Sequence, residues 1–369
     1  MKRLEMSSAD LSEADLQAVM AVLQSGRIAL GPKTVEFETE IAKYCGVKHA
    51  VAVNSGTAAL HLLVKSLEIG PGDEVLVPSF TFAASVNCIL YEGATPVFVD
   101  IEPETYNLDP ADLEAKITPK TKAIMAVDVF GHPVEWDAIN AIAQKHRLAI
   151  IDDSCEALGA EYHQQKIGRF GDAAAFAFYP NKQMTTGEGG IVVTNQDRIA
   201  SLCRSMRNQG RGEMGAWLEH ERLGYNYRIS EMQAALGVSQ LKRLETFLAK
   251  REQVAGWYTE RLRKLDFVRP PVVKPGVRMS WFVYVITLRV GLQRDAVISF
   301  LEKEGIPSRG YFAPIHAQKY LEAFPQVKRA PLPVTESVAE RTIALPFYNN
   351  LPLEEVEYVV EVLGRYGER

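Results

Sequence analysis

Residues 171–194 read GDAAAFAFYPNKQMTTGEGGIVVT. The apolar run AAAFAF at 173 is followed by a short loop holding Lys182, a Thr- and Gly-rich loop, and a second apolar run, GIVVT at 190. Both runs have the length and composition of buried strands, so the lysine rides on a connection between two strands. Low-dielectric surroundings there favour a neutral, nucleophilic amine over an ammonium ion, and Schiff-base chemistry needs that form. A Walker A loop places its lysine directly after the glycines, whereas Lys182 precedes them. A P-loop NTPase is therefore not expected.

The same kind of run recurs upstream: HAVAV at 49, EVLV at 74, PVFV at 96, AIMAV at 123 and LAIID at 148, with helix-like stretches between them. This alternation predicts an α/β fold built on one wide, doubly wound, mainly parallel sheet of seven strands between helices. In such sheets ligands sit at the carboxyl ends of the strands, so the residues just after each run carry the chemistry. From about residue 230 the pattern changes. Ala234, Leu236, Leu241, Leu244, Leu248, Val254, Trp257 and Leu262 recur at helical spacing, which predicts a long helix or a kinked pair. Pro270, Pro271 and Pro275 then break the chain, and FVYVITLRV, DAVISFLEKEG and EEVEYVVEVLGRY predict a small α+β unit. The expected organisation is a large α/β domain over residues 20–240 and a smaller C-terminal α+β domain over 241–369, with residues 1–19 packing against the latter.

With 369 residues, 47% hydrophobic and 24% charged, the chain can bury a full core. Its net charge of -5 and scattered basic residues lack the electrostatic footprint of a nucleic-acid or membrane-surface binder. The opening MKRLEMSSADLSEADLQAV has no uninterrupted apolar core, and no later stretch suits a bilayer span, so a cytoplasmic location is expected. The four cysteines, Cys45, Cys88, Cys155 and Cys203, are far apart without a C-x-x-C pair. They are expected to be reduced and mostly buried, with no disulfide scaffold and no metal site.

Two further strand ends stand out. In VAVNSGTAALHLL a strand ends at Val53, Asn54-Ser55-Gly56-Thr57 turns, and a helix follows. A helix start offers unpaired N–H groups and the positive end of its dipole; Gly56 permits close approach, and Ser55 and Thr57 add hydroxyls, which together suit a phosphate. A plain N-cap reads the same way. In LAIIDDSCEALGA a buried strand runs into Asp152 and Asp153, with Glu156 beyond. Side chains alternate along a strand, so at most one of the two aspartates faces a given pocket, and spacing does not say which. Both could instead cap the next helix or bind a metal, although no His or Cys lies nearby at ligand spacing.

An anion site, a strand-end acid and a lysine between strands match the three needs of pyridoxal phosphate: a phosphate anchor, a protonated pyridine and a lysine for the Schiff base. At this point the chain resembles the DegT/DnrJ/EryC1/StrS family, the sugar aminotransferases among fold-type I pyridoxal-phosphate enzymes. GRIALGPKTVEFE at 26, SGTAALHL at 55, GPGDEVLVPSFTF at 70, GATPVFVD at 93, IDDSCEALGA at 151, FYPNKQMTTGEGG at 178 and GYNYRISEMQAALG at 224 carry the resemblance over nearly the whole length.

The resemblance implies that Lys182 forms the Schiff base with pyridoxal 5'-phosphate and that Asp153 partners the pyridine nitrogen. Glu156 takes the place where relatives have Gln, Glu or His near the cofactor. It further implies that Ser55, Gly56 and Thr57 hold the phosphate, that Phe82 stacks on the ring, and that Asn226, with Arg228 beside it, reaches the phosphate of a neighbouring subunit in a homodimer. Two positions depart from the family pattern. Ala177 stands where many relatives have a phosphate-binding Ser, and Asp128 stands in VDVFG where many have His, an exchange expected to touch only the pocket wall. The implied reaction passes an amino group from L-glutamate to a nucleotide-linked keto-sugar. TTGEGG is similar to the run in GDP-perosamine synthases, which implies a 4-keto-6-deoxyhexose, with a 3-keto sugar, a cyclitol or an aminohydroxybenzoate precursor as alternatives. PSRGYFAPIHAQKY at 307 offers Arg309, Tyr311 and His316 as sugar contacts, or else is a capped surface turn. No cysteine is placed as a desulfurase would need, and a non-catalytic member of the fold would not need Lys182 and Asp153.

Overall fold

The computed structural model describes residues 4–212 and 219–367. Helices α1 (Glu13–Ser25) and α2 (Pro32–Cys45) lead into an alternating series: β1 (His49–Val53), α3 (Gly56–Ser66), β2 (Glu74–Pro78), α4 (Ala84–Tyr91), β3 (Thr95–Val99), α5 (Pro110–Ala115), β4 (Thr121–Val127), α6 (Trp136–His146) and β5 (Ala149–Asp153). A short pair, β6 (Glu161–Tyr162) and β7 (Gln165–Lys166), precedes β8 (Ala173–Ala177), β9 (Gly190–Thr194) and α7 (Asp197–Arg207). The seven apolar runs of the sequence are the seven strands of one sheet, ordered β1-β9-β8-β5-β4-β2-β3. Only β9 is antiparallel to its neighbours, β1 and β8; the other pairings are parallel. The carboxyl ends of six strands therefore line one edge, joined there by the start of β9.

Each strand buries both faces, which is why the runs are continuously apolar rather than alternating. Val51, Val75, Met125, Ile151 and Val192 pack with Leu60, Leu63, Val86 and Cys203 of α3, α4 and α7. Leu76, Ile124, Ile150, Phe176 and Val193 pack on the other side, with Phe37, Ile41, Trp136 and Ile139 of α2 and α6. At the end of β5 this two-residue period sends Asp153 to the layer of Ile151 and Asp152 to that of Ile150.

Beyond the sheet, the helical spacing resolves into a pair, α8 (Glu231–Leu241) and α9 (Leu244–Leu262). Then come β10 (Val268–Arg269), β11 (Val277–Arg278), β12 (Tyr284–Leu288), α10 (Arg294–Lys303), α11 (Pro333–Ala339), β13 (Thr342–Leu345) and α12 (Leu353–Gly367). Strands β10-β12-β13 form one antiparallel sheet and β11-β6-β7 another. Strand β12, α10 and α12 fall on the three stretches read from sequence. β13, α11 and the two-residue strands do not, being too short to carry a periodic signal.

The Leu4 amide donates to the carbonyl of Gly305 and the Phe347 amide to that of Met6. Helix α1 lies along α8 instead, where Asp15 accepts from Gln240 and Arg243. Glu231, at the start of α8, accepts from the amides of Lys33 and Thr34 and so caps α2, whose own N-cap is Gly31. Cys45, Cys88 and Cys203 are buried, Cys155 is partly so, and all are free thiols. Among the described residues no helix is long and apolar enough to cross a membrane.

Candidate active site

Because the strand ends share an edge, the three segments singled out in the sequence meet. A cavity of about 510 Å³ is lined by Ser55, Gly56 and Thr57 after β1, by Asp153 and Glu156 after β5, and by Lys182 after β8.

At one part of the wall α3 begins. Ser55 is extended, with φ -163° and ψ 160°, and its Oγ accepts from the Ala58 amide at 3.1 Å. Ser55 is thus an N-cap, and the first N–H groups of the helix belong to cavity-lining residues, where its dipole favours an anion. The turn is pressed onto the sheet. A Cβ on Gly56 would sit 2.7 Å from Ala177 Cβ and 3.0 Å from Cys155 Sγ, and one on Gly190 would sit 2.3 Å from the Ser55 carbonyl oxygen. Ala177 also lines the cavity and presents a methyl there.

Asp153 is buried, and both its oxygens are engaged: Oδ2 accepts from Ser85 Oγ at 2.6 Å and Oδ1 from the Cys155 amide at 3.2 Å. Thr81 Oγ1 lies 2.8 Å from Ser85 Oγ, extending the network into the loop after β2. An acceptor held this way suits a protonated ring nitrogen.

Asp152 points away, and Asp128 is not part of the wall as expected; Val127 is. Asp128 is fully buried, with Oδ1 accepting from the Val134 amide at 2.9 Å. Ser154 Oγ bridges the two acids, 2.6 Å from Asp152 Oδ1 and 2.9 Å from Asp128 Oδ2. Burial pushes both carboxyls up; the Asp128 charge adds to the rise at Asp152, while the Val134 amide and Ser154 oppose it at Asp128. Linked through Ser154 and shut away from water, the pair favours the protonated form, and an acid at 128 is accommodated by the Val134 amide and Ser154.

Lys182 Nζ rests 3.7 Å from the centre of the Phe282 ring and 3.5 Å from Glu156 Oε1. Burial pushes the Glu156 carboxyl up, opposed by the Lys182 charge and by the Phe130 amide, which donates to Oε2 at 2.9 Å. The loop carrying the lysine is tied at both ends. The Lys182 amide donates to the Tyr179 carbonyl at 2.9 Å, the Thr186 amide to Phe178 at 3.0 Å, and the Phe178 amide to Gly189 at 2.9 Å.

Of the remaining sequence candidates, Phe82 lines the mouth and is 64% exposed in the single chain. Tyr311 also lines the cavity; burial and then Glu156 push its hydroxyl up to about 12. Asn226 is exposed, lies outside the lining of its own chain's cavity, and bridges to Asn208 through the backbone. Arg228 donates to Asn208 Oδ1 at 2.9 Å. Arg309 is exposed beside Tyr311, its main chain paired with Ala344. His316 is buried off the cavity, with Nδ1 2.6 Å from Ser79 Oγ and Nε2 3.1 Å from Glu336 Oε1. Sequence reasoning missed Ser85, Tyr179, Asn181, Phe282 and Phe312. Asn181 and Tyr179 flank Lys182 and could have been found from it; Phe282 and Phe312 arrive from remote segments with no local signal.

A model of the DegT/DnrJ/EryC1/StrS aminotransferase family matches residues 9–364. A GDP-perosamine synthase of Caulobacter vibrioides is 43% identical over 342 residues, covering 91% of each chain. A UDP-N-acetyl-3-dehydro-alpha-D-glucosamine 3-aminotransferase of Acidithiobacillus ferrooxidans is 39% identical over 359 residues, covering 97% of this chain and 95% of its own. The sugar-aminotransferase-like protein Spr1654 of Streptococcus pneumoniae, solved in its PLP form, superposes with a TM-score of 0.94 at 30% identity over 100% of this chain and 98% of that one.

Proposed function

Because this chain belongs to the DegT/DnrJ/EryC1/StrS aminotransferase family, we propose that it transfers an amino group from L-glutamate to a nucleotide-linked 4-keto-6-deoxyhexose, with pyridoxal 5'-phosphate carried on Lys182. The observation that carries this reading is the meeting of Lys182, Asp153 and the start of α3 on one cavity wall. When bound, the cofactor supplies an electron sink for the pair released as a C–H bond beside nitrogen breaks.

The protein's own groups do the rest. The first N–H groups of α3, with Thr57 Oγ1, bind the phosphate. Asp153, oriented by Ser85 and Cys155, holds the proton on the ring nitrogen. Lys182 Nζ takes the proton from the donor's Cα. Glu156 Oε1 at 3.5 Å and the Phe282 face at 3.7 Å then hold the resulting ammonium until the proton is returned. Phe82, Tyr311 and Phe312 wall off the cavity and exclude water from the reacting atoms, with Arg228 and Arg309 binding the substrate's anionic part. His316, locked between Ser79 and Glu336, acts by holding the 311–317 segment in place. The exposed Asn226 reaches a partner's phosphate, so the working unit is a homodimer. A second reading, amination of a 3-keto sugar, is favoured by the 39% identical relative named for that position.

The purified protein with added cofactor and glutamate should aminate a nucleotide-linked 4-keto-6-deoxy sugar, with nitrogen found on C4 of the product by NMR; nitrogen on C3 of a 3-keto substrate selects the second reading. Lys182→Ala should lose the visible cofactor band and turnover together. Turnover retained in that variant overturns the site.

A further inference from the structure

Arg251, near the middle of α9, is 2% exposed. Its guanidinium reaches four main-chain carbonyls on two segments that are remote in sequence. Nη1 donates to Trp281 at 2.9 Å and Phe282 at 3.1 Å, while Nη2 donates to Lys182 at 3.0 Å and Asn181 at 3.4 Å. The Phe347 ring lies 5.6 Å from Cζ. Burial alone lowers the guanidinium, to about 10, with no charge partner opposing it. The group therefore stays cationic at neutral pH, and among the described residues no carboxylate pairs with it.

The two segments have one thing in common. Lys182 rises from the first, and the ring against which its Nζ rests, at 3.7 Å, hangs from the second. One rigid fork thus fixes both the root of the lysine and the surface that receives its head. We infer that Arg251 is the positioning residue of the cofactor-bearing lysine, holding Lys182 and Phe282 at a constant separation while the side chain carries protons. Filling space between α9 and the sheet would not need a charge, since an apolar chain of that volume fills a core at lower cost than a buried cation. Bridging four carbonyls on two strands of chain needs the planar fork, and a lysine in its place has one nitrogen and cannot span them.

The inference rests on Lys182 bearing the cofactor, so the holoenzyme is first reduced with borohydride and the labelled lysine mapped by peptide mass spectrometry. A label on any other lysine overturns both readings. With the label on Lys182, Arg251→Lys and Arg251→Met are compared with the unsubstituted protein in the half-reaction with glutamate and in the visible circular dichroism of the bound cofactor. Tyr258→Phe, which removes a buried hydroxyl donating to the Pro346 carbonyl at 2.9 Å from the same helix, is the stability control. Expected are a fall in kcat of about tenfold to a hundredfold, the loss that follows displacement of a reacting group by about 1 Å, a KM for glutamate changed less than about threefold, as when an interaction made only in the transition state is lost, and a weakened dichroic band. The control should lower Tm with kcat retained. A dichroic band and kcat matching the unsubstituted protein in the Arg251 variants overturn the inference, as does an equal kcat loss in Tyr258→Phe. Should neither Arg251 variant fold, Phe282→Leu removes the surface under Nζ while leaving the fork and its carbonyl acceptors; unchanged kcat and dichroism there overturn it equally.

Discussion

Replacing Gly190 by alanine tests whether close approach of the sheet sets the anion-binding turn. The added Cβ would lie 2.3 Å from the Ser55 carbonyl oxygen, 2.4 Å from its carbonyl carbon and 2.6 Å from the Gly56 nitrogen, whereas ordinary contact begins at 3.4 Å. The turn and β9 must therefore separate by about 1.1 Å, the shortfall at the closest of these contacts. If the turn yields, its N–H groups retreat from a bound phosphate by a similar amount, beyond hydrogen-bond length. Each charge-assisted bond contributes about 1.5–3 kcal/mol, so losing two costs roughly 3–6 kcal/mol before relaxation. Allowing half of that to be recovered, the cofactor Kd should rise about tenfold to a hundredfold at ~1.4 kcal/mol per decade. The assay is titration of cofactor-free protein with pyridoxal phosphate, followed by the visible band, with a thermal melt alongside. Gly256→Ala is the matched control: a Cβ there meets nothing within 4 Å, and in a helix interior the change should stabilise by about 0.5–1 kcal/mol. A Kd within about threefold of the unsubstituted protein, with or without a lowered Tm, would falsify the idea that this contact sets the turn, because 3–6 kcal/mol spread over two bonds cannot vanish into so small a change.

Ser85→Ala removes the donor that holds Asp153 Oδ2 at 2.6 Å; kcat should fall about tenfold, the equivalent of roughly 1.5 kcal/mol from one charged hydrogen bond, measured by steady-state kinetics at saturating cofactor. Glu231→Ala strips the cap from α2 and leaves the amides of Lys33 and Thr34 and the Thr34 hydroxyl without their buried acceptor, so urea unfolding should show a loss of about 3–5 kcal/mol. Burial pushes Glu231 up, but hydrogen bonds from Thr34 and Lys33 hold it below the usual range; its contribution is present above the ordinary carboxyl value and lost as pH falls through the lowered one, so the deficit of the variant should shrink in acid. Asp152→Asn has the opposite pH signature. The Asp128–Asp152 pair is raised by burial, so its contribution is complete below the ordinary carboxyl value of 3.8 and is lost as pH rises above it. The amide supplies N–H donors that do not titrate, and the variant's stability should fall less steeply over that rise; parallel curves in urea-midpoint measurements would reject the raised pair.

Much of the site was legible because its residues sit just past strand ends, and strand ends are local features. The runs at 49, 74, 96, 123, 148, 173 and 190 are buried on both sides, so their apolar character is uninterrupted and each is a strand of the large sheet. Parallel strands then place Ser55, Asp153 and Lys182 along one edge whatever the strand order. The choice between Asp152 and Asp153 is different in kind: alternation says that the two part, but which of them faces the cavity depends on which helical layer each face meets, and that depends on the packing of α3 and α4 over β5.

By itself, then, the chain's pattern determined the sheet, the lysine, and the helix start suited to an anion, since periodicity and strand-end chemistry are written in consecutive residues. Only the tertiary structure decided what supports them. Ser85 is brought to Asp153 across 68 residues and Arg251 to Lys182 across 69, and Phe282 reaches Nζ from the segment before β12. Contacts of this kind leave no periodic trace, because each partner looks locally like an ordinary helix or strand residue until the fold closes. The same holds for Asp128 and Asp152, two unremarkable strand-end acids in the sequence that become one buried pair, bridged by Ser154, when β4 and β5 lie side by side in a dry interior.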